Sequence, residues 1–186
     1  NEDLYVFQKF MRQVIGTNRI DSSARYGHLS AVQAMRRVPG THRWTIAFED
    51  IVAANALLLV GTNITETSPI TGLKVKEAVK KRQASLVTIE SLEPAVDTLS
   101  NIANLATQHF STHPEQIGTP VLGRIKAVIG GNLVDAGLTE QAPAFVQRLS
   151  ATVQQTSWDT LETATGHSRA QWAETAKLLA AAKRVV

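Results

Sequence analysis

The chain has no cysteine among its 186 residues. This absence excludes disulfide bonds and any cysteine-ligated iron–sulfur or zinc centre within this stretch. A metal or cofactor held here would therefore need oxygen and nitrogen ligands. Aromatic residues are also scarce, at 5%, whereas hydrophobic residues make up 44% of the chain. The composition therefore predicts an ordinary globular protein with one substantial, mainly aliphatic core.

Long apolar runs and strong charge are absent as well. No stretch approaches the roughly 20 apolar residues that span a bilayer, and no signal-peptide pattern is present, so we predict no direct membrane insertion. The net charge is only +3. The densest basic run, KVKEAVKKRQ at 74–83, has no interleaved aromatic residues. We therefore predict no nucleic-acid binding.

The centre of the chain carries the pattern of a parallel β-sheet. ALLLV (56–60) is a continuous apolar run that is too short for a helix, and SLVTIE (85–90) is typical of a second strand. The polar loop GTNITETSP and the helical segment TGLKVKEAVKKRQ lie between them and complete a βαβ unit. The sequence therefore predicts an α/β fold, with ligands at the carboxyl ends of the strands.

The rest of the chain is predicted to be mainly helical. Apolar residues recur at helical spacing before Gly16, in HLSAVQAMRRV and in IAFEDIVAAN, where Thr45 is a candidate cap. The helix-rich C-terminal half comprises AVDTLSNIANLATQHF, PVLGRIKAVI, LTEQAPAFVQRLSATVQ, SWDTLETATGH and SRAQWAETAKLLAAAKR, the last capped by Ser168. The final AAAKRVV predicts the first residues of another strand, so we expect an excerpt of a longer protein.

The polar residues that follow the two strands allow two interpretations. Asn63, Thr65, Glu66 and Thr67 either cap the next helix or contribute to a ligand site. In the first case Glu90 is a strand-end carboxylate that faces solvent. In the second, it holds a ribose hydroxyl or the N–H edge of a guanine. The chain has no glycine-rich dinucleotide fingerprint and no P-loop, and its five histidines lack metal-ligand spacing.

A second candidate site is SSARYGH at 22–28, where Arg25, Tyr26, Gly27 and His28 lie together after the first helix. The segment is either a turn in which Gly27 adopts a positive φ or the rim of an active site. Turn glycines are common, so the local sequence favours the turn.

Several segments follow one another along the chain: NEDLYVFQKFMRQVIGTNRID, SSARYGH, FEDIVAANALLLVGTNITETSPITGLKVKEAVKK, SLVTIES, IGTPVLGRIKAVIGGNLVDAGL and TATGHSRAQWAETAKLLAAAKR. This ordered series resembles the molybdopterin oxidoreductase family. The family includes formate dehydrogenases, nitrate reductases and the largest peripheral subunit of NADH-quinone oxidoreductase, to which we expect the greatest closeness. The resemblance implies a Rossmann-like α/β domain over 22–186, preceded at 1–21 by the end of another α/β domain.

In active members of that family, the guanosine end of a molybdopterin guanine dinucleotide is held at these strand ends. The resemblance implies cofactor-binding roles for Asn63, Glu66, Thr67, Glu90, Gly118 and Thr119. Two departures weaken such a site. Glu90-Ser91-Leu92 stands where the family usually has Asp-Pro-Arg, and Pro120 stands where the family has a polar side chain. A leucine cannot make the charge-assisted bond of the arginine, which is worth about 1.5–3 kcal/mol.

The same resemblance bears on Gly27. Similar formate dehydrogenases have arginine, any residue, cysteine or selenocysteine, and histidine in this segment, and the sulfur or selenium ligates the metal. Arg25, Gly27 and His28 occupy the first, third and fourth of these positions, and glycine has no ligand atom. The resemblance therefore implies a degenerate metal position, with no metal ligand and no catalytic residue in this stretch.

These implications lead to two main functional hypotheses. The first is a non-catalytic domain of the NADH-quinone oxidoreductase large peripheral subunit, with a structural or assembly role in NADH-to-quinone electron transfer. It would bind other subunits on the cytoplasmic side of the membrane, bind no cofactor itself, and depend on iron–sulfur clusters elsewhere in the parent. The alternative is the guanosine-end cofactor-binding domain of an active molybdenum or tungsten oxidoreductase, such as formate dehydrogenase. A bare nucleotide-binding module is a third hypothesis.

Overall fold

The structure, a computed structural model, describes residues 2–38, 46–91 and 101–186. The chain forms two compact units, residues 1–44 and 45–186. The predicted boundary between residues 21 and 22 concerns the domains of a larger protein, and it stays a prediction.

The first unit contains three helices: α1 (Glu2–Gln13), α2 (Ala24–Gly27) and α3 (Leu29–Arg37). The helices predicted before Gly16 and over HLSAVQAMRRV are confirmed. Gly16 follows α1 with a φ of +75°, a conformation that ends helices and that glycine adopts at little cost. None of the residues within these three helices is buried.

The second unit is built on a parallel sheet. Its strands are β1 (Ala56–Val60), β2 (Ser85–Ser91) and β3 (Gln108–Thr112), in the order β1-β2-β3. Residues 184–186 extend the sheet in parallel on the other edge of β1, where the Leu58 N–H donates to the carbonyl of Val186 at 2.8 Å. Both predicted strands and the strand predicted in AAAKRVV are therefore confirmed. The strand order reverses beside β1, which is where open α/β sheets bind ligands.

Helices supply the remainder of this unit. They are α4 (Phe48–Val52), α5 (Ile64–Thr67), α6 (Pro69–Arg82), α7 (Gly118–Gly130), α8 (Ala136–Gln141), α9 (Pro143–Gln154), α10 (Trp158–Thr165) and α11 (Arg169–Ala181), with 3₁₀ turns at Ala103–Leu105 and Pro114–Gln116. The predicted class, a parallel α/β sheet flanked by helices with a helix-rich C-terminal half, is confirmed. Ser168 caps α11 as predicted, because its Oγ accepts a bond from the Gln171 N–H at 3.3 Å.

Helices cover both faces of the sheet. On one face, α4 and α6 pack against β1 and β2 through Ile51, Val75, Ala78, Leu57 and Leu86. On the other, α7 and α11 cover Val87, Ile89 and Phe110 with side chains that include Ile117, Val121 and Leu178. Burial on both faces explains why β1 is a continuous apolar run instead of an alternating one.

The helix predicted over AVDTLSNIANLATQHF is wrong in its described part. Residues 101–110 contain a 3₁₀ turn and the beginning of β3, and residues 92–100 lie outside the described part of the chain. The apolar spacing of Ile102, Leu105 and Ala106 suits a helix. Pairing with β2, however, buries Phe110 to 4% exposure, and this long-range gain overrides the local preference.

Two helix ends also differ from the predictions. LTEQAPAFVQRLSATVQ is not one helix, because Pro143 has no N–H and would interrupt it; α8 ends at Gln141 and Pro143 begins α9. The candidate cap Thr45 lies outside the described residues. At the start of α4 the Ala47 N–H instead donates to Oδ2 of Asp50 at 3.0 Å.

Candidate functional site

The loop after β1 meets the end of β2 and the segment before α7. Gly61 turns the chain with a φ of +67° and donates its N–H to the carbonyl of Ile89 at 2.8 Å. A Cβ on Gly61 would lie 3.4 Å from Cγ1 of Ile117, so the two segments are in close contact. The structure therefore brings the predicted loops together at the carboxyl edge of the sheet.

The polar side chains of this loop do not cap the helices that follow. Asn63 and Ser68 precede α5 and α6, but neither side chain makes a capping hydrogen bond. Oδ1 of Asn63 and Oγ1 of Thr65 are shielded from solvent and have no hydrogen-bond partner within the described ranges. Because shielded polar atoms without a partner are costly, these two are available to a ligand.

Unlike Asn63, the predicted site residues Thr67 and Glu66 have side chains that are either hydrogen-bonded or exposed. Thr67 bonds within the loop, since its Oγ1 donates to the carbonyl of Asn63 at 3.1 Å and shares a 3.0 Å bond with Oγ1 of Thr62. The side chain of Glu66 is exposed on α5. Both residues lie in the predicted loop, but neither presents an unsatisfied buried atom.

Glu90 is buried at the end of β2. It is 8% exposed, and its register partner on β3 is Ser111. The interpretation in which this carboxylate faces solvent is therefore wrong. Glu90 directly follows Ile89, whose carbonyl accepts the Gly61 N–H, so the end of β2 lies next to the loop after β1. At this edge of the sheet it can accept hydrogen bonds from ribose hydroxyls or a guanine N–H edge.

Gly118 and Thr119 form the first residues of α7. Gly118 is exposed, and a Cβ built on it would meet no atom within 4 Å. The first N–H groups of a helix have no partner within the helix and lie at the positive end of its dipole. Ile117, immediately before them, lies close to the Gly61 loop, so α7 begins at the same edge of the sheet.

Groups of the chemical types that can bind a nucleotide lie at this edge. Asn63 and Glu90 have acceptor oxygens, Thr65 has a hydroxyl, and α7 begins here with Gly118 and Thr119. Across residues 2–38, 46–91 and 101–186, no three histidine or acidic side chains form a metal-binding group.

Gly27 lies in the first unit as the last residue of α2. Among the described glycines, positive φ values occur only at positions 16, 61 and 166. The prediction of a turn that requires a positive φ at Gly27 is therefore wrong. A Cβ at Gly27 would meet no atom within 4 Å, so the backbone and the space around it would accept a side chain. Steric hindrance within this unit therefore does not explain why position 27 is a glycine and not a residue with a metal-ligand atom.

The neighbours of Gly27 have local partners. Nε of Arg25 lies 2.9 Å from Oδ2 of Asp21 in an exposed ion pair. The His28 N–H donates to the carbonyl of Ala24 at 2.8 Å, and Tyr26 is 87% exposed. Exposed pairs contribute little stability, so the pair between Arg25 and Asp21 does little more than orient the guanidinium.

Sequence reasoning missed a polar cluster on the face covered by α7 and α11. Arg124 is 4% exposed, its Nη1 donates to the carbonyl of Pro120 at 2.8 Å, and its guanidinium lies 3.9 Å from the ring centre of Phe110. Nε2 of His167 donates to the carbonyl of Ser111 at 3.0 Å. Burial lowers the pKa of Arg124 to about 10. The pKa of His167 is also lowered, and burial is the largest of its causes. A single arginine in a helical pattern gives no sequence signal that it is buried.

The molybdopterin oxidoreductase family model matches residues 1–181. The chain therefore belongs to the molybdopterin oxidoreductase family, as the resemblance implied. Within the described residues, 2–38, 46–91 and 101–186, no helix is long and apolar enough to cross a membrane.

Two curated relatives are formate dehydrogenase subunits. The chain is 36% identical over 90 residues to the F420-dependent formate dehydrogenase subunit alpha of Methanocaldococcus jannaschii, covering 48% of this chain and 13% of the relative. The F420-dependent formate dehydrogenase 1 subunit alpha of Methanococcus maripaludis matches with the same identity and coverage. The chain thus spans about an eighth of the length of these relatives. They support the predicted family, but not the expected closeness to NADH-quinone oxidoreductase.

A solved structure supports the fold. Acetylene hydratase from Pelobacter acetylenicus superposes with a TM-score of 0.67 at 21% identity, covering 88% of this chain and 21% of that protein. At this identity the likeness concerns the fold alone, and it agrees with the Rossmann-like arrangement described above.

Proposed function

We propose that this chain is the guanosine-end cofactor-binding domain of a molybdenum or tungsten oxidoreductase of the formate dehydrogenase type. The observation that carries the proposal is the pair of shielded atoms, Oδ1 of Asn63 and Oγ1 of Thr65, that have no hydrogen-bond partner among the described residues, at the strand ends where Glu90 is also buried. Membership of the family and the names of the two relatives agree with it.

The chemistry of these groups fits the guanosine end of molybdopterin guanine dinucleotide. When bound in the whole protein, that cofactor would supply a metal that exchanges electrons with the substrate. The residues of this chain would bind and orient its nucleotide end, with Asn63 and Glu90 facing the guanosine and the first N–H groups of α7 facing phosphate. Leu92, which replaces the arginine of the family pattern, lies outside the described residues.

The test uses the full-length protein and measures guanine dinucleotide, pterin, molybdenum and tungsten per protein. Wild type is expected to contain near-stoichiometric pterin and metal. Asn63→Ala is expected to weaken cofactor binding about two- to tenfold, because it removes one neutral hydrogen bond. The matched control is Asn101→Ala, at a residue that is exposed on a turn, and it should change nothing. Equal cofactor content in the Asn63 and Asn101 variants would contradict the assignment of Asn63.

A second candidate function is the structural domain of an NADH-quinone oxidoreductase large peripheral subunit, bound to other subunits at the cytoplasmic side of the membrane. Gly27 favours it, because a glycine supplies no metal ligand although a side chain would fit there. The same measurement separates the candidates. A parent complex that oxidises NADH but contains neither pterin nor metal would support this function and contradict the first. In an active enzyme, the ligand missing at Gly27 must come from elsewhere in the protein or from solvent.

A further inference from the structure

A buried guanidinium with one unsatisfied edge lies on the face of the sheet opposite the side chain of Glu90. Arg124 is 4% exposed and stacks on Phe110. Its Nη1 is satisfied by the carbonyl of Pro120, but Nε and Nη2 have no hydrogen-bond partner among the described residues and are shielded from solvent. Native structures rarely leave such groups unpaired, because each one costs free energy of desolvation.

The two unsatisfied nitrogens have a specific geometry. In a guanidinium, the Nε–H bond and one N–H bond of Nη2 point in parallel from the same edge, while Nη1 lies on the opposite side. This edge matches two oxygen atoms of a carboxylate or a phosphate group, which arginine binds with two parallel hydrogen bonds. Arg124 therefore bonds the protein backbone through Nη1, while Nε and Nη2 have no hydrogen-bond partner in the described part of the chain.

In the described part of the chain, no acidic side chain pairs with this edge. The ion pairs of the described residues involve Arg25, Lys74, Lys81 and Arg184, and none involves Arg124. Burial is the cause of its lowered pKa, with no opposing contribution from a carboxylate. With a pKa of about 10 the guanidinium is still charged at neutral pH, so it is a buried cation without an ion-pair partner among residues 2–38, 46–91 and 101–186.

Another shielded polar atom without a partner among the described residues lies on the same face of the sheet. Phe110 and Thr112 alternate with Ser111 along β3, so both lie on the face that Arg124 covers. Thr112 is 7% exposed, and its Oγ1 is also shielded and unpartnered. His167 lies edge-on to Phe110 at 5.0 Å between ring centres, and it uses Nε2 on the carbonyl of Ser111. Unsatisfied polar atoms on two different elements therefore flank the carboxyl end of β3.

We propose that Arg124 is the centre of an internal oxyanion site, in which its Nε and Nη2 bind two oxygen atoms of one small carboxylate or phosphate group. The occupant is small, because the guanidinium is almost fully buried. The proposal does not rest on the proposed function, because Arg124 and Thr112 lie on the face of the sheet opposite the side chain of Glu90. Helix α7 is common to both regions, since Arg124 bonds Pro120, which follows Gly118 and Thr119.

The test is titration calorimetry on the purified protein after dialysis into a buffer without oxyanions. Sodium phosphate and sodium acetate are the probes, and sodium chloride at matched ionic strength is the control for non-specific charge effects. Saturable binding of one oxyanion per protein is expected, and the probe that binds identifies the group as a phosphate or a carboxylate. Arg124→Lys keeps the charge but loses the two-pronged edge, so affinity should fall about 10- to 100-fold.

Two further variants make the result decisive. Arg124→Met should abolish binding of that probe, whereas Arg148→Met, at an exposed arginine on α9, should leave binding unchanged. Circular dichroism verifies that each variant is folded, and if Arg124→Met fails to fold, Arg124→Lys decides. Absence of saturable binding to either oxyanion, or equal affinity in wild type and the Arg124 variants, would overturn the proposal.

Discussion

The two faces of the parallel sheet are closed in different ways. The face covered by α4 and α6 contains an aliphatic cluster in which Leu57 and Leu86 are almost fully buried. The face covered by α7 and α11 combines aliphatic side chains with the buried guanidinium of Arg124, and the buried indole of Trp172 packs between the helices that cover it. The aliphatic cluster requires apolar volume in the right places. The other face also depends on the close fit of α7 to an indole and contains a buried charge, so the two faces should respond differently to substitution.

The largest effect is expected on the aliphatic face. Leu86→Ala removes a side chain with 0% exposure and leaves a cavity, so the free energy of unfolding should fall by about 2–5 kcal/mol. Leu73→Ala on α6 is the matched control, because Leu73 is 59% exposed and should cost far less. Urea denaturation of the two variants measures the difference. A similar cost for both would show that this face is not the closed core described here.

A smaller effect is expected where α7 meets α11. A Cβ on Gly123 would lie 2.8 Å from Cε2 of Trp172, a ring held in place by its burial. Gly123→Ala should therefore lower the free energy of unfolding by about 1–3 kcal/mol through overpacking. Gly130→Ala, in the same helix, meets no atom within 4 Å and should be neutral or stabilising by up to about 1 kcal/mol. Denaturation curves measure the change in the free energy of unfolding for each variant, which should be negative for Gly123→Ala and zero or positive for Gly130→Ala. A stabilised Gly123→Ala would refute the close approach of α7 to the indole.

The smallest effect concerns pH on the same face. Burial and the charges of Arg124 and His109 lower the pKa of His167 below 6.5, against the opposing bond to Ser111. Between that lowered pKa and 6.5, the unfolded chain binds more protons, so the free energy of unfolding decreases as pH falls through this window and is fully recovered above it.

Unfolding measured between about pH 5 and 8 checks this dependence. His167→Gln should flatten the curve in that window, whereas His113→Gln, at an exposed histidine, should not. A wild-type curve that is already flat there, or one that the His113 variant alters equally, would contradict the role assigned to His167.

Local patterns predicted the elements whose environments are uniform. β1 was predicted residue for residue because burial on both faces leaves a run of apolar residues, and α11 because Ser168 caps a regular stripe. β3 was missed, since its Phe110 is buried only after the chain pairs with β2. Pairing between distant strands leaves little trace in the spacing of nearby residues.

The candidate site was likewise predicted only in part. Its position at the strand ends followed from the βαβ pattern, and the structure does bring the Gly61 loop, the end of β2 and the start of α7 together. The hydrogen bonding and burial of its side chains did not follow from the sequence. That Asn63 does not cap α5 and that Glu90 is buried depend on side-chain directions that no local pattern specifies.

The sequence by itself determined the family, the parallel sheet and the position of the polar loops at its carboxyl edge, because periodicity, short apolar runs and ordered motifs are properties of neighbouring residues. Tertiary structure alone decided which polar atoms remain unsatisfied. Arg124 has an ordinary helical neighbourhood in sequence, and it becomes a buried cation only when α7 packs on the sheet and places its guanidinium over Phe110. Burial depends on residues far apart in the chain, so it is settled only when they pack together.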